Sequence, residues 1–265
     1  MKFDKEKIMS KVGDIASSTK KVTENISNKT KDVVLSTKDK ISEKIENKEL
    51  ISQEDMMKIL DGLYGNVLNG IGKNSPSVEE FSEDYLKHDS DPKIAAKKMF
   101  KNQILKCTTS GFLSGFGGLI VLPITIPANV SSVLYVQMRM IASCAYMAGY
   151  DLKSDQVQSF IYACLAGVSV AEVVKQTGVK IGVKLATGAI KKIPGKALTK
   201  INKAVGTRFI TKFGTKGVLN LGKMVPGVGA VIGGGLDFSE TKIIADRAYK
   251  WFFEGELEYK TVDAC

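Results

Sequence analysis

Apolar residues recur at three- and four-residue intervals through most of the chain, and strict alternation is scarce, which predicts an all-α fold. A helix over residues 53–71 carries Met56, Met57, Ile59, Leu60, Leu63, Val67, Leu68 and Ile71 as its core face. Ser52 and Asp55 before it have capping-box spacing. Residues 72–76 read as a break, residues 78–86 as a short acidic helix, and residues 92–109 as a helix opened by Asp91 and Pro92. Ile94, Met99, Ile104 and Leu105 mark its expected inner side. Later helices are expected at 130–147 (N-capped by Asn129), 155–176 and 237–253. In the second of these, Val157, Phe160, Ile161, Leu165, Val168 and Val173 face inward, and Gly255 ends the third.

One stretch departs from this amphipathic rhythm. Residues 107–138 contain no charge, and Arg139 is the only charge between Cys107 and Tyr150. A membrane-spanning helix needs ~20 apolar residues without a break, whereas Pro123, Pro127 and four glycines interrupt this run. It reads as a buried glycine- and proline-rich apolar hairpin. Gly111 and Gly115 stand four apart, as do Gly229 and Gly233 in a later glycine-dense stretch, a spacing that lets helices approach closely. Arg139 argues for the buried centre of a helical fold or a peripheral membrane element over a span, because a charge at mid-bilayer is costly. Arg139 and Asp237 are each the lone charge of a long apolar stretch. Burying an unpaired charge costs several kcal/mol, so the expectation is a mutual pair, or Arg139 with Glu172.

Residues 1–50 form a separate segment with an eleven-residue period: Ile8, Thr19, Thr30 and Ile41 are in register, as are Val12, Thr23, Val34 and Ile45. Eleven residues over three turns keep this stripe on one helix face. It resembles the repeats of late-embryogenesis-abundant and synuclein-type lipid-surface helices, although a solvated helix or linker explains it as simply. The organisation is thus an amphipathic tail at 1–50, a helical domain at 51–255 and a short C-terminal tail at 256–265.

Charge changes the picture more than composition does. The chain is 265 residues long with a net charge of +10. Residues 173–236 carry 12 basic and no acidic side chains, which leaves the rest close to neutral. Lys192, Lys196, Lys200 and Lys203 recur at helical spacing, with Ile193, Ala197, Ile201 and Ala204 one position on, a basic edge beside an apolar strip. Lys191, Arg208 and Lys212 extend the edge. Such a region suits an anionic partner or serves solubility.

Candidate chemistry is sparse. Gly217 to Lys223 has the spacing of a phosphate-binding loop, but Met224 stands where Ser or Thr must hold the metal. Gly227, Gly229 and Gly233 miss the dinucleotide fingerprint by one residue. The single histidine, His88, lies in a polar turn, and the four cysteines are widely spaced. No catalytic residue, metal site or cofactor is expected. No secretory or lipidation signal is read, which makes the cytoplasm the default address.

Gly111-Phe-Leu-Ser-Gly115-Phe-Gly-Gly-Leu, Leu122-Pro-Ile-Thr-Ile-Pro127-Ala and Tyr135-Val-Gln-Met-Arg139-Met-Ile141 resemble the EcsC protein family. So do Lys192-Ile-Pro-Gly-Lys-Ala-Leu198 and Lys223-Met-Val-Pro-Gly-Val-Gly-Ala230. The resemblance covers residues 51–253 and implies a bacterial, membrane-linked helical domain with no established reaction. Asn129 departs from the Asp common in such motifs, which puts an acid–base role there in doubt. The resulting expectation is a non-enzymatic module at the cytoplasmic face of a membrane. It would bind anionic lipid, a membrane protein such as a transporter, or both, through Lys191, Lys192, Lys196, Lys200, Lys203, Arg208 and Lys212. A nucleic-acid binder using the same lysines is the second reading, and a hydrolase the third. Oligomeric state is left open.

Overall fold

The computed structural model describes residues 52–71, 75–108, 128–177, 190, 193–213 and 229–257. All its described elements are helical: α1 (Gln53–Asn69), α2 (Val78–His88), α3 (Pro92–Thr108), α4 (Ala128–Met147), α5 (Asp155–Ala166), α6 (Val170–Lys175), α7 (Gly195–Phe213) and α8 (Gly229–Tyr249). The all-α expectation holds. A π-helical turn, Lys250–Glu254, continues α8 and ends at Gly255, whose φ of 72° is left-handed.

α4 is the axis of the fold, packed by α1, α2, α3, α5 and α8. Every side chain from residue 134 to residue 145 is buried, as in a helix that is apolar all round. The end of the charge-free stretch, from Leu134 to Met138, therefore lies at the centre of the core. The helix begins at Ala128, so Asn129 lies within its first turn rather than capping it. First-turn amides lack intrahelical acceptors in either case, so two extra residues are a small change. No described helix is long and apolar enough to cross a membrane.

Local signals explain most boundaries. Ser52 and Asp55 form the expected capping box on α1, and Ser77 with Glu80 forms another on α2. The expected helix over 155–176 is two helices, because Gly167 takes a left-handed φ of 70° and ends α5. The break turns the following helix, so Val170 and Val174 are buried while Val168 and Val173 are only partly covered. The expected helix at 237–253 begins earlier, at Gly229, and runs through the glycine-dense stretch. Each interior glycine disfavours helix by ~1 kcal/mol, and packing of α8 against α3 and α4 offsets that preference.

The inner side of α3 also differs from expectation. Ala95, Ala96, Met99, Phe100 and Gln103 are buried, Ile104 is half-buried, and Ile94 and Leu105 point to solvent. Ala95, Ala96, Met99, Phe100 and Gln103 fall on one arc of the helix, and that arc turns Ile94 and Leu105 outward. Polar side chains tie several elements together. Tyr64 donates to the Leu152 carbonyl at 2.8 Å, and Gln137 Nε2 donates to Thr241 Oγ1 at 3.0 Å, joining α4 to α8.

Candidate functional site

α7 sorts its residues by face. Ala197, Ile201, Val205 and Phe209 are buried against α5 and α1, whereas Lys196, Lys200, Lys203 and Arg208 are exposed. Thr199, Thr207 and Thr211 share the outer side, and each hydroxyl donates to the carbonyl four residues earlier on the same helix. Only one of the four basic side chains has a described bond. Lys200 Nζ donates to the Gln176 carbonyl at 3.4 Å, where the C-terminal end of α6 presents unpaired carbonyls. Among the described residues, no carboxylate pairs with Lys196, Lys200, Lys203 or Arg208. Four of the seven expected surface residues are thus exposed on one helix. Lys191, Lys192 and the side chain of Lys212 lie outside the described residues.

The apolar strip expected beside this edge is not part of the surface. Ile193, Ala197 and Ile201 are buried and Ala204 is half-buried, because the strip is the face that α7 turns to the core. At Gly206 a side chain would crowd the start of α1: an added Cβ would lie 3.3 Å from the Gln53 carbonyl oxygen. Gln53 Nε2 also donates to Thr207 Oγ1 at 2.8 Å, fastening the beginning of α1 to α7.

Arg139 is the second expected feature. It is 5% exposed, so it does not reach out to solvent. Its Nη2 donates to Gln103 Oε1 at 3.4 Å, and its guanidinium lies 4.3 Å from the Phe81 ring centroid and 5.4 Å from that of Tyr135. Cation–π contact of this kind strengthens when water is excluded. The alternative partner Glu172 is exposed on α6 and forms no ion pair with Arg139. The Asp237 side chain lies outside the described residues, as do Gly111 and Gly115; Gly229 and Gly233 lie within α8.

Sequence reasoning missed Arg247. It is buried, and its Nη1 donates to the Cys164 carbonyl at 2.7 Å, placing a cation at the C-terminal end of α5 beside Gly167. Lys242, Asp246 and Lys250 surround it in sequence, so nothing singles it out as buried. A polar knot joins α1 to α5: Asp61 Oδ1 accepts from Tyr162 and from Gln158, both at 2.9 Å. Burial raises the Asp61 carboxyl pKa, and the hydrogen bonds from Tyr162 and Gln158 oppose that rise.

The two cysteines whose side chains are described are held in unreactive forms. Cys144 and Cys164 are fully buried free thiols. Burial pushes the Cys164 thiol up to about 12, with Arg247 opposing, and pushes Cys144 well up also, so both are protonated near neutrality. His88 is exposed at the end of α2. The described residues contain no group of three or more His, Cys, Asp or Glu side chains placed to hold a metal ion.

The sequence profile of the EcsC protein family matches residues 3–252. The chain belongs to the EcsC protein family. The match starts near the beginning of the repeat-bearing segment, so the EcsC profile takes in more than the stretch of 51–253 on which the motifs were read. Comparison with curated proteins finds no match, and comparison with solved structures finds none. In this EcsC chain the stretch from Tyr135 to Ile141 is the wholly buried middle of α4, a packing segment that carries a cation.

Proposed function

We propose that this EcsC chain is a non-catalytic module that binds an anionic membrane surface at its cytoplasmic face, alone or beside a membrane protein such as a transporter. The observation that carries the reading is the outer face of α7. Lys196, Lys200, Lys203 and Arg208 are exposed together on a helix that contains no acidic residue. Each Lys or Arg near an anionic bilayer contributes ~1 kcal/mol, and the attraction fades beyond a Debye length. The apolar strip of α7 is committed to the core, so this face contributes attraction without insertion and its binding is reversed by salt.

The nucleic-acid reading is less well supported. Single-strand binders stack bases on exposed aromatic rings, and Phe209 on α7 is 2% exposed. Flotation of the full chain with vesicles of phosphatidylglycerol and phosphatidylcholine tests the proposal. Binding is expected to fall at least tenfold when Lys196, Lys200, Lys203 and Arg208 are all changed to Gln, an estimate that allows for partial engagement of the four charges. Equal binding to pure phosphatidylcholine, or an unaffected quadruple variant, rejects it.

A further inference from the structure

The two large apolar side chains that stand exposed among the described residues are Ile94 and Leu105, 48% and 52% exposed, and both belong to α3. They are eleven residues apart, three helical turns, with Lys98 and Lys101 between them at steps of four, three and four. These four residues therefore form one stripe along the outer face of α3, apolar at each end and cationic in the middle, ~16 Å long at the helical rise. Lys93 and Lys97 flank the stripe, and α3 contains no acidic residue. Two of the cations are partly engaged: Lys98 Nζ lies 2.7 Å from Asp89 Oδ1, and Lys97 Nζ lies 4.9 Å from the Tyr249 ring centroid.

We infer that this stripe is a shallow insertion surface for an anionic bilayer, with Ile94 and Leu105 entering the headgroup–acyl boundary and Lys101 and its neighbours meeting lipid phosphates. The inference rests on the membrane reading proposed above and adds what α7 lacks. A helix lying in a lipid interface combines cations with outward apolar side chains, and Lys side chains extend from an apolar stem to a charged head that stays at the surface. α7 presents only charge, whereas α3 presents both. Two features select lipid over a protein groove as the occupant. The cationic bias of the stripe complements anionic headgroups. The chain also passes, two residues after Leu105, into the stretch of 107–138 that carries no charge, so the step from basic to apolar sequence falls at the end of the stripe. α3 packs on α2, α4 and α8, and α7 packs on α1, α5 and α6, so the two basic helices rest on different neighbours and can be altered separately.

The test uses the full chain and vesicles of phosphatidylglycerol and phosphatidylcholine in equal parts. Changing Ile94→Gln with Leu105→Gln removes both apolar ends from exposed positions that contribute little to folding. The expected result is about tenfold weaker binding, corresponding to partial burial of two aliphatic side chains. In a second variant, Leu105→Trp, the added indole is expected to be quenched by lipids brominated close to the headgroup. A Thr199→Trp reporter on the outer face of α7 is expected to be quenched less. Unchanged affinity of the Gln variant, or a Leu105→Trp signal that brominated lipid leaves untouched, overturns the insertion surface while flotation of the native chain keeps the broader reading. If the native chain does not float with anionic vesicles at all, both fall.

Discussion

α4 and α7 are close in length and opposite in the way they carry charge. α4 has one cation in an apolar helix whose side chains from 134 to 145 are all buried, and Gln103, Phe81 and Tyr135 contact it. α7 exposes Lys196, Lys200, Lys203 and Arg208 from a half-buried helix, and among the described residues only Lys200 of these has a bond, to a single backbone carbonyl. A buried charge is tied to its surroundings because desolvation makes every alternative worse. Exposed charges without partners in the fold remain available to something outside it. The difference separates residues that folding requires from residues that folding leaves alone, and only the second kind identifies a surface for a partner.

Arg139→Met should break this comparison most strongly. The change takes the buried cation from Gln103, Phe81 and Tyr135 and, where Asp237 is its counter-charge, strands that carboxylate; the fold is then expected to lose ~3–5 kcal/mol, read from urea unfolding. A double-mutant cycle with Asp237→Asn should give less than the sum of the two single effects; strict additivity would remove Asp237 as a counter-charge. Arg247→Met should follow at ~1.5–3 kcal/mol, the scale for a hydrogen bond to a charged group, since it strips the buried Cys164 carbonyl of a donor. Changing Lys196, Lys200, Lys203 and Arg208 together to Gln should move stability by no more than about 0.5 kcal/mol per site, most of it at Lys200, and shift the salt dependence of vesicle binding instead. A large loss of stability there would mean that α7 is held by its charges after all.

The smallest effect concerns Asp61. Its carboxyl pKa is raised in the folded state, so the folded chain binds a proton more readily than the unfolded chain. Stability from this group is gained as pH falls through the folded value towards 3.8 and is absent at neutral pH, where the desolvated carboxylate is charged. Asp61→Asn should therefore be slightly more stable than the native chain near pH 7, and the gap should narrow on acidification. Thermal melts across that range read it; a gap that widens in acid would show that the bonds from Tyr162 and Gln158 outweigh desolvation.

What the sequence disclosed follows the strength of each local signal. The capping box at Ser52 and Asp55 and the core face of α1 are written in short-range spacing, and the structure has both. Absence of charge marked α4 as interior. Gly167 carries no visible stop, because one glycine between apolar runs is tolerated within a helix, and its left-handed φ is what makes it one. The inner face of α3 is hard to see in the sequence because Ala95 and Ala96 carry little hydrophobic signal, whereas the outward Ile94 and Leu105 carry a strong one. At α7 the basic edge was legible, but its apolar strip looked free, since sequence periodicity does not say which neighbour covers a face. Arg247 had no signal at all: a buried cation among charged neighbours looks like one more surface residue.

The π-helical turn at the end of α8 has a consequence for insertions and deletions. Trp251 and Phe252 are adjacent in sequence, yet they are 2% and 5% exposed, and they face Phe160 and Tyr150 respectively. Consecutive residues of an α-helix diverge by about 100°, which ordinarily turns one of two neighbours away from a given contact. The wider turn adds a residue to the circuit and shifts the phase of everything after it. Deleting one residue between Lys250 and Glu254 would restore regular winding, rotate one aromatic ring away from its partner and displace Gly255 from the left-handed position that ends the helix. The length of this segment is therefore constrained to the single residue, even where the identity of Lys250 is not.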